Sequence, residues 1–557
     1  MKRISPSRLR NFVSNNTLQD WLQLYGKKKG YKPNPLKRRR CGTSNIGIQF
    51  EKHVYQLIRA RFPSWSCVNL SNQNYSMTLA QLKRGTEMLY QATLQNPDNK
   101  THGIADFIIR SDLVSKIFTN YEYPESTVGC EFNPDWHYVV MDTKFINLDL
   151  CSDGARIRNT DSSRFYKLQL YIYSQALGFA TGYQPKYGLV IGRGNKYTSK
   201  KTTYISNQSL DRPGIVEFQK WDKDIKKYLI DGSQWIHDLL NHGDKWEVVK
   251  TPTRSELYAN CKAYHSYPWK TQIAKIATEQ DELTQLINFG YKQRNQAHDN
   301  NLFTISALGE DAPTVEKNLE LIGFNPTTKT GETLTKIIIQ QNNPDSKLEI
   351  PSRIKTKLQG YSSWLYIDFE EWSTAEIDFS QAQTTINGYV YLVGVWHNNH
   401  YTNFSMKNSQ RGQQQKLLCD LLDYLEKYPD QKIVHWGDYE VRKIKEFAKT
   451  YPVLNDRISK VLPRMIDLSK IFSNNLIIVP GMFNFSLKSV AKSVFGTDRY
   501  SGLGCTDGLE SEFIISNIAA TNPEDWTVAD QYEKLIMYNR LDCEIMHDII
   551  QNILDEF

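Results

Sequence analysis

This chain of 557 residues lacks the features that tie a protein to a membrane, an oxidising compartment or a nucleotide-driven motor. No stretch approaches the roughly 20 apolar residues that a membrane helix needs. The start, Met1-Lys2-Arg3-Ile4-Ser5-Pro6, has no apolar signal core, so an intracellular, cytoplasmic protein without a membrane partner is expected. The eight cysteines, at 41, 67, 130, 151, 261, 419, 505 and 543, form no CxxC or other ligand spacing. That argues against a zinc site and an iron–sulfur cluster, and suits reduced thiols. There is no Gly-Lys-Ser/Thr phosphate loop, so no ATP site is expected. No internal repeat is visible.

What is present is a globular composition: 40% hydrophobic residues, 23% charged, and mean hydropathy −0.54. The length suggests two or three domains. The net charge of +7 is unevenly spread: residues 1–40 hold twelve Lys or Arg against the single acid Asp20, while the remainder holds 56 basic and 60 acidic groups. The basic groups gather in Lys27-Lys28-Lys29 and Lys37-Arg38-Arg39-Arg40. Such clusters can neutralise phosphates and hold nucleic acid in a salt-dependent way.

Four spaced signatures follow in the first 175 residues. Ser44 or Asn45 can cap a helix with an apolar stripe of Phe50, Val54, Leu57 and Ile58; Glu51 and the rival ligand His53 sit at its edge. Gly103-Ile104-Ala105-Asp106 opens a strand in which Asp106 is the odd polar residue, costly to bury unless paired or bound to metal. Tyr138 to Met141 is an apolar strand delivering Asp142 and Lys144 to one face, two residues apart. A helix over about 165–177 carries Gln169 and Tyr173 one turn apart. Carboxylates of this kind suit Mg²⁺ or Mn²⁺, which take oxygen ligands and can generate a nucleophilic water. A lysine among them can hold that water.

In this order the motifs resemble the RecB-type branch of the PD-(D/E)XK nucleases, which includes the CRISPR-associated exonucleases and carries an extra Gln-x-x-x-Tyr, matched by Gln169 and Tyr173. Ser5-Pro6-Ser7-Arg8-Leu9 is similar to the branch's usual start. The resemblance covers about 1–235. It implies that Asp106 and Asp142 ligate metal with Glu51 or His53 assisting, that Lys144 orients the nucleophile, and that Gln169 and Tyr173 shape the site and contact DNA. Many members hold an iron–sulfur cluster on four cysteines; this chain lacks that spacing.

In the second half, Trp364 to Glu370 is an apolar strand ending in Asp368-x-Glu370, both on one side. Asn387-Gly388 suggests a turn before the run Tyr389 to Trp396. Lys432 to Glu440 reads as a strand entering a helix, and Tyr538-x-x-x-Asp542 lies on an amphipathic helix. This layout, over about 355–557, resembles the RNase H-like fold of the DEDD exonucleases. The resemblance implies metal on Asp368, Glu370 and Asp542, with Tyr538 positioning water. The second motif departs: register puts Glu440 where aspartate is usual, with Asp438 as the alternative.

The expected architecture is therefore α/β: a PD-(D/E)XK restriction-endonuclease-like domain over 1–235, a helical middle region and linker over 236–354, and an RNase H-like domain over 355–557. The expected activity is a Mg²⁺- or Mn²⁺-dependent DNA nuclease, chiefly exonucleolytic. Two alternatives stay open: a DNA-holding scaffold or docking protein for a separate helicase, with a homodimer role for the second half, and an RNA-directed nuclease.

Overall fold

The computed structural model describes residues 3–34, 42–263, 266–343, 348–359, 363–379, 385–410 and 412–555. Lys37, Arg38, Arg39 and Arg40 lie outside them. The chain divides into two compact units, 1–280 with 377–385, and 281–376 with 386–557. The helical stretch expected as a separate middle region is shared between the two. Leu257, Trp269, Ile273 and Ile276 are buried in the core of the first unit. Leu283, Leu286, Phe289, Leu319 and Ile337 are buried in that of the second.

The first unit is built on a seven-stranded mixed sheet. Its order is β1 (Cys67–Asn69), β2 (Met88–Asn96), β3 (Thr101–Arg110), β4 (Tyr138–Asp149), β5 (Tyr187–Ser199) and β6 (Thr202–Ser206), with β7 (Gly214–Glu217) also paired to β5. Strand β3 is antiparallel to both β2 and β4, while β1 is parallel to β2 and β4 is parallel to β5. The parallel step needs a crossover, and the helix Asp161–Thr181 supplies it. That helix starts on a capping box of Thr160 and Ser163 and ends at Gly182, whose φ of 73° is the left-handed geometry favouring glycine.

Alternation explains the two buried faces. Tyr138 and Val140 of β4 join the core that includes Leu168 and Ile172 of the crossover helix. Val139 and Met141 join the core that includes Phe50, Val54 and Ile58 of the helix Gly42–Arg61. Continuing the alternation, Asp142 and Lys144 fall on the crossover-helix side.

The second unit holds a five-stranded sheet ordered β10-β9-β8-β11-β12. The strands are β8 (Trp364–Asp378), β9 (Thr385–His397), β10 (His400–Ser405), β11 (Lys432–His435) and β12 (Met465–Asp467). Strand β10 is antiparallel to β9, while β11 is parallel to both β8 and β12. The expected turn at Asn387-Gly388 is instead inside β9. The tight turn falls at Asn398-Asn399, whose φ values of 49° and 58° are the paired left-handed conformations of a two-residue hairpin. The helix Tyr532–Asp555 buries Leu535, Tyr538, Ile545 and Ile549. Among the described residues, no helix is long and apolar enough to cross a membrane.

One buried ion pair braces the crossover helix. Lys167 Nζ lies 2.6 Å from Asp222 Oδ1, with both side chains 1% exposed. Lys167 also donates to Ile157 O at 2.9 Å and Asn159 Oδ1 at 2.7 Å. Removing one partner strands the other charge. Asp222→Ala is expected to destabilise the first unit by about 3–5 kcal/mol, read by calorimetry. A loss under about 1 kcal/mol, the range of surface pairs, would show that the pair does not brace the fold.

Candidate active sites

In the first unit the four sequence signatures meet at the sheet. Asp106 of β3 accepts from the Thr143 N–H and the Thr143 hydroxyl of β4, both at 2.7 Å. The fully buried Asp142 is ion-paired with Lys144. Gln169 bridges these groups from the crossover helix: its Nε2 donates to Asp142 Oδ1 at 3.2 Å and to the Tyr173 hydroxyl at 3.1 Å, and its Oε1 accepts from Lys144 Nζ at 3.2 Å. The Gln-x-x-x-Tyr spacing thus puts one amide across Asp142, Lys144 and Tyr173. Gly103 is needed for a close approach, since a Cβ there would overlap the Tyr173 ring.

The local electrostatics are those of carboxyls crowded out of water. Burial, then Asp106, pushes Glu51 up to about 7. Burial pushes Asp142 up to about 7, with Asp106 adding and Lys144 opposing. Burial works against the Lys144 ammonium, but Asp142 and Asp106 hold its pKa above the ordinary value. Glu51, Asp106 and Asp142 therefore supply oxygen donors whose ionised forms are under-neutralised, which a divalent cation would correct.

His53 is not part of this group. Two positions along a helix point to different sides. His53 is buried with its ring 5.5 Å from Phe379, in the 377–385 segment of the same unit. The residue that holds Glu51 is Gln91, whose Nε2 donates to Glu51 Oε1. Gln91 takes a φ of 57° inside β2, a strained conformation for a non-glycine residue. Nothing in the sequence marks it, because it sits in an ordinary strand pattern 40 residues from Glu51. Lys27, Lys28 and Lys29 form an exposed single turn.

In the second unit, Asp368 and Glu370 of β8 meet Asp542 of the last helix, with one ligand oxygen from each all within 4.8 Å of one another. Each is held by a residue that sequence reading missed. Asn539 Nδ2 donates to Asp368 Oδ2 at 2.8 Å, Ser511 Oγ donates to Glu370 Oε2 at 2.7 Å, and the Tyr500 hydroxyl donates to Asp542 Oδ1. Asn539 and Tyr500 are one-off polar residues without periodic signal. Gly394 keeps β9 clear for Asn539, whose Oδ1 occupies the space a Cβ would need.

Burial, then Asp542 and Glu370, raises Asp368 well above the usual range. Burial pushes Glu370 up to about 8 and Asp542 up to about 6. Lys488 is a cation bearing on both Glu370 and Asp542. Its Nζ lies 3.3 Å from the Tyr538 hydroxyl. Tyr538 thus stands beside the carboxylates as its spacing suggested.

Glu440 is buried near this site but is not one of the three grouped carboxylates. Its Oε2 lies 3.5 Å from His435 Nδ1. Its charge still raises Asp368 and Asp542. Asp438, the alternative, is exposed and precedes the helix Tyr439–Thr450 as its N-cap.

A sheet of this order, with carboxylates on its central strand and last helix, defines the C-terminal unit as an RNase H-like α/β domain. Residues 381–554 match the family model of the RNase_H superfamily. The match begins after β8, so Asp542 lies inside it and Asp368 and Glu370 lie before it. The fold points to metal-dependent chemistry of the nuclease type. No curated protein matches the chain.

Two measurements test these sites. A metal ligand must be ionised, so divalent binding displaces protons from carboxyls at about 7, 7, 8 and 6 for Glu51, Asp142, Glu370 and Asp542. Carboxyls in the unfolded chain release theirs near about 4. Between these values the folded state holds more protons, so metal-free stability should fall as pH rises from about 4 to about 8. The Tm gained on adding Mg²⁺ should accordingly be larger at pH 8 than at pH 5.5; equal gains would remove the assignment. Gln91→Ala should weaken Mn²⁺ binding to the first unit by about 10–100-fold, the cost of losing a group that orients a ligand. Calorimetric titration reads it, and unchanged affinity would deny Gln91 that role.

Proposed function

We propose that this protein is a Mg²⁺- or Mn²⁺-dependent DNA nuclease, chiefly exonucleolytic, whose working site is Glu51, Asp106, Asp142 and Lys144. The observation carrying this reading is the placement of Lys144 within the central strand β4, held by Asp142 and Gln169 beside Asp106. The helix Gly42–Arg61, the paired strands β2, β3 and β4, the crossover helix Asp161–Thr181 and then β5, in that chain order, support the resemblance to RecB-type PD-(D/E)XK nucleases.

Glu51, Asp106 and Asp142 would hold the metal. A bound divalent ion lowers the pKa of water and offsets charge on the scissile phosphate. The chain's own groups supply the rest. The Lys144 ammonium is kept protonated by Asp142 and Asp106, so it can donate to the attacking water and to charge developing on the phosphoryl oxygens. Gln169 fixes Lys144 and Asp142 relative to each other, which limits reorganisation during the step. Tyr173 orients Gln169 and closes the side next to Gly103.

The RNase H-like domain offers Asp368, Glu370 and Asp542 as a second metal-binding set, with Tyr538 and Lys488 beside it, suited to a 3′–5′ exonuclease. The position of Glu440 outside that set favours a second reading: the domain holds DNA or docks a helicase while the first unit cuts.

End-labelled single- and double-stranded DNA, with RNA as a comparison, separates these readings when digested with Mg²⁺, Mn²⁺ or EDTA. Lys144→Ala should cost about 10²–10³-fold in rate with DNA affinity nearly unchanged. If Lys144→Ala keeps full activity while Asp542→Ala loses it, the chemistry belongs to the RNase H-like domain and the proposed working site is wrong.

A further inference from the structure

The helix Tyr439–Thr450 carries three cations on one exposed stripe: Arg442, Lys445 and Lys449. Their spacing of three and four residues keeps them on neighbouring turns. The rise of 1.5 Å per residue spreads them over about 10 Å. They edge a groove of about 730 Å³ whose lining includes Val441, Leu462 and Met465.

The groove's acids are largely taken by other partners. Glu446 is 3.1 Å from Lys443, and Asp467 is 3.1 Å from Lys470. Asp467 also accepts from the Gly437 N–H at 3.0 Å and the Ser469 hydroxyl at 2.6 Å. By contrast, none of Arg442, Lys445 and Lys449 has a carboxylate within ion-pair distance among the described residues. Arg442 instead lies over the Tyr439 ring at 5.1 Å. Asp438 is the one acid of the lining without such an ion pair among the described residues, so the groove keeps a positive excess.

His435 is also part of the groove's lining, and His435 Nδ1 lies 3.5 Å from Glu440 Oε2. Glu440 in turn bears on Asp368 and Asp542. Through His435 and Glu440 the groove's lining is thus linked to the carboxylate triad of the RNase H-like domain.

We infer that this groove binds a single-stranded polynucleotide through successive phosphates and leads it toward Asp368, Glu370 and Asp542. A row of cations along a groove fits an extended strand with evenly repeated charge better than a lone anion. This deepens the nuclease reading and rests on it for the direction of the strand, but binding itself can be measured without cutting.

The test is fluorescence anisotropy of the full chain with labelled single-stranded DNA and RNA oligonucleotides in EDTA, over a range of salt concentrations. The variant Arg442→Gln/Lys445→Gln/Lys449→Gln is compared with wild type, and circular dichroism checks its fold. Single strands give a slope of log K against log salt of about −0.7 per phosphate contacted. The triple variant should therefore bind about 10- to 100-fold more weakly near 0.1 M salt, with a slope less negative by about 2. If it does not fold, Lys445→Gln and Lys449→Gln singly should each change the slope by about 0.7. An unchanged slope overturns the inference, as does equal competition by millimolar inorganic phosphate or by an acidic peptide. If the slope changes but wild type cuts nothing with Mg²⁺ or Mn²⁺, the groove stands and the nuclease reading falls.

Discussion

Taking a carboxylate out of water costs several kcal/mol unless a cation or hydrogen-bond donors replace its hydration. This chain gathers such carboxylates at two sites, and much of the surrounding architecture answers that demand. In the first unit Asp142 is sealed within β4 against one lysine and one glutamine amide. In the second, Asp368, Glu370 and Asp542 each receive a donor from a different element: Asn539, Ser511 and Tyr500. Such donors fix where the oxygens point without neutralising them. The residual negative charge is what would suit both places to a hard cation.

The two sites handle that charge differently. In the first, Lys144 is two residues from Asp142 on the same strand, so strand alternation alone brings ammonium and carboxylate together. In the second, Lys488 comes from a separate helix, Leu487–Phe495, and stands against Tyr538 and Tyr500. Its place depends on aromatic packing between distant segments. The first arrangement is local and therefore readable; the second requires the folded core.

The same distinction sets how much the sequence could disclose. Asp106, Asp142, Lys144, Asp368 and Glu370 were legible because each breaks an apolar strand, and Gln169, Tyr173, Tyr538 and Asp542 because each pair sits one helical turn apart. Gln91, Ser511, Tyr500 and Lys488 carry no such mark: their roles come from partners tens of residues away. Likewise, β8 runs to Asp378 where the apolar pattern suggested an end near Glu370, since pairing with a neighbour extends a strand past its hydrophobic part. The turn expected at Asn387-Gly388 failed because pairing within β9 overrode a common turn dipeptide, while Asn398-Asn399, an equally turn-forming pair, closes the hairpin. The shared middle region was hidden for a related reason. Its helices are amphipathic throughout, and periodicity does not say which core an apolar stripe will join.

Glu440 shows where register and geometry part. Counting along the motif puts its carboxylate at the position of a metal ligand. The side chain nevertheless meets His435, and among the described residues the grouped oxygens are those of Asp368, Glu370 and Asp542. Three carboxylates can hold one divalent ion that keeps waters in its remaining positions. A second ion, which would add to the stabilisation of charge on the phosphate, would need a further ligand beside the triad. Glu440 is the nearby candidate: its charge is felt by Asp368 and Asp542. Whether the RNase H-like domain could hold a second ion therefore turns on this one carboxylate, and on the imidazole beside it.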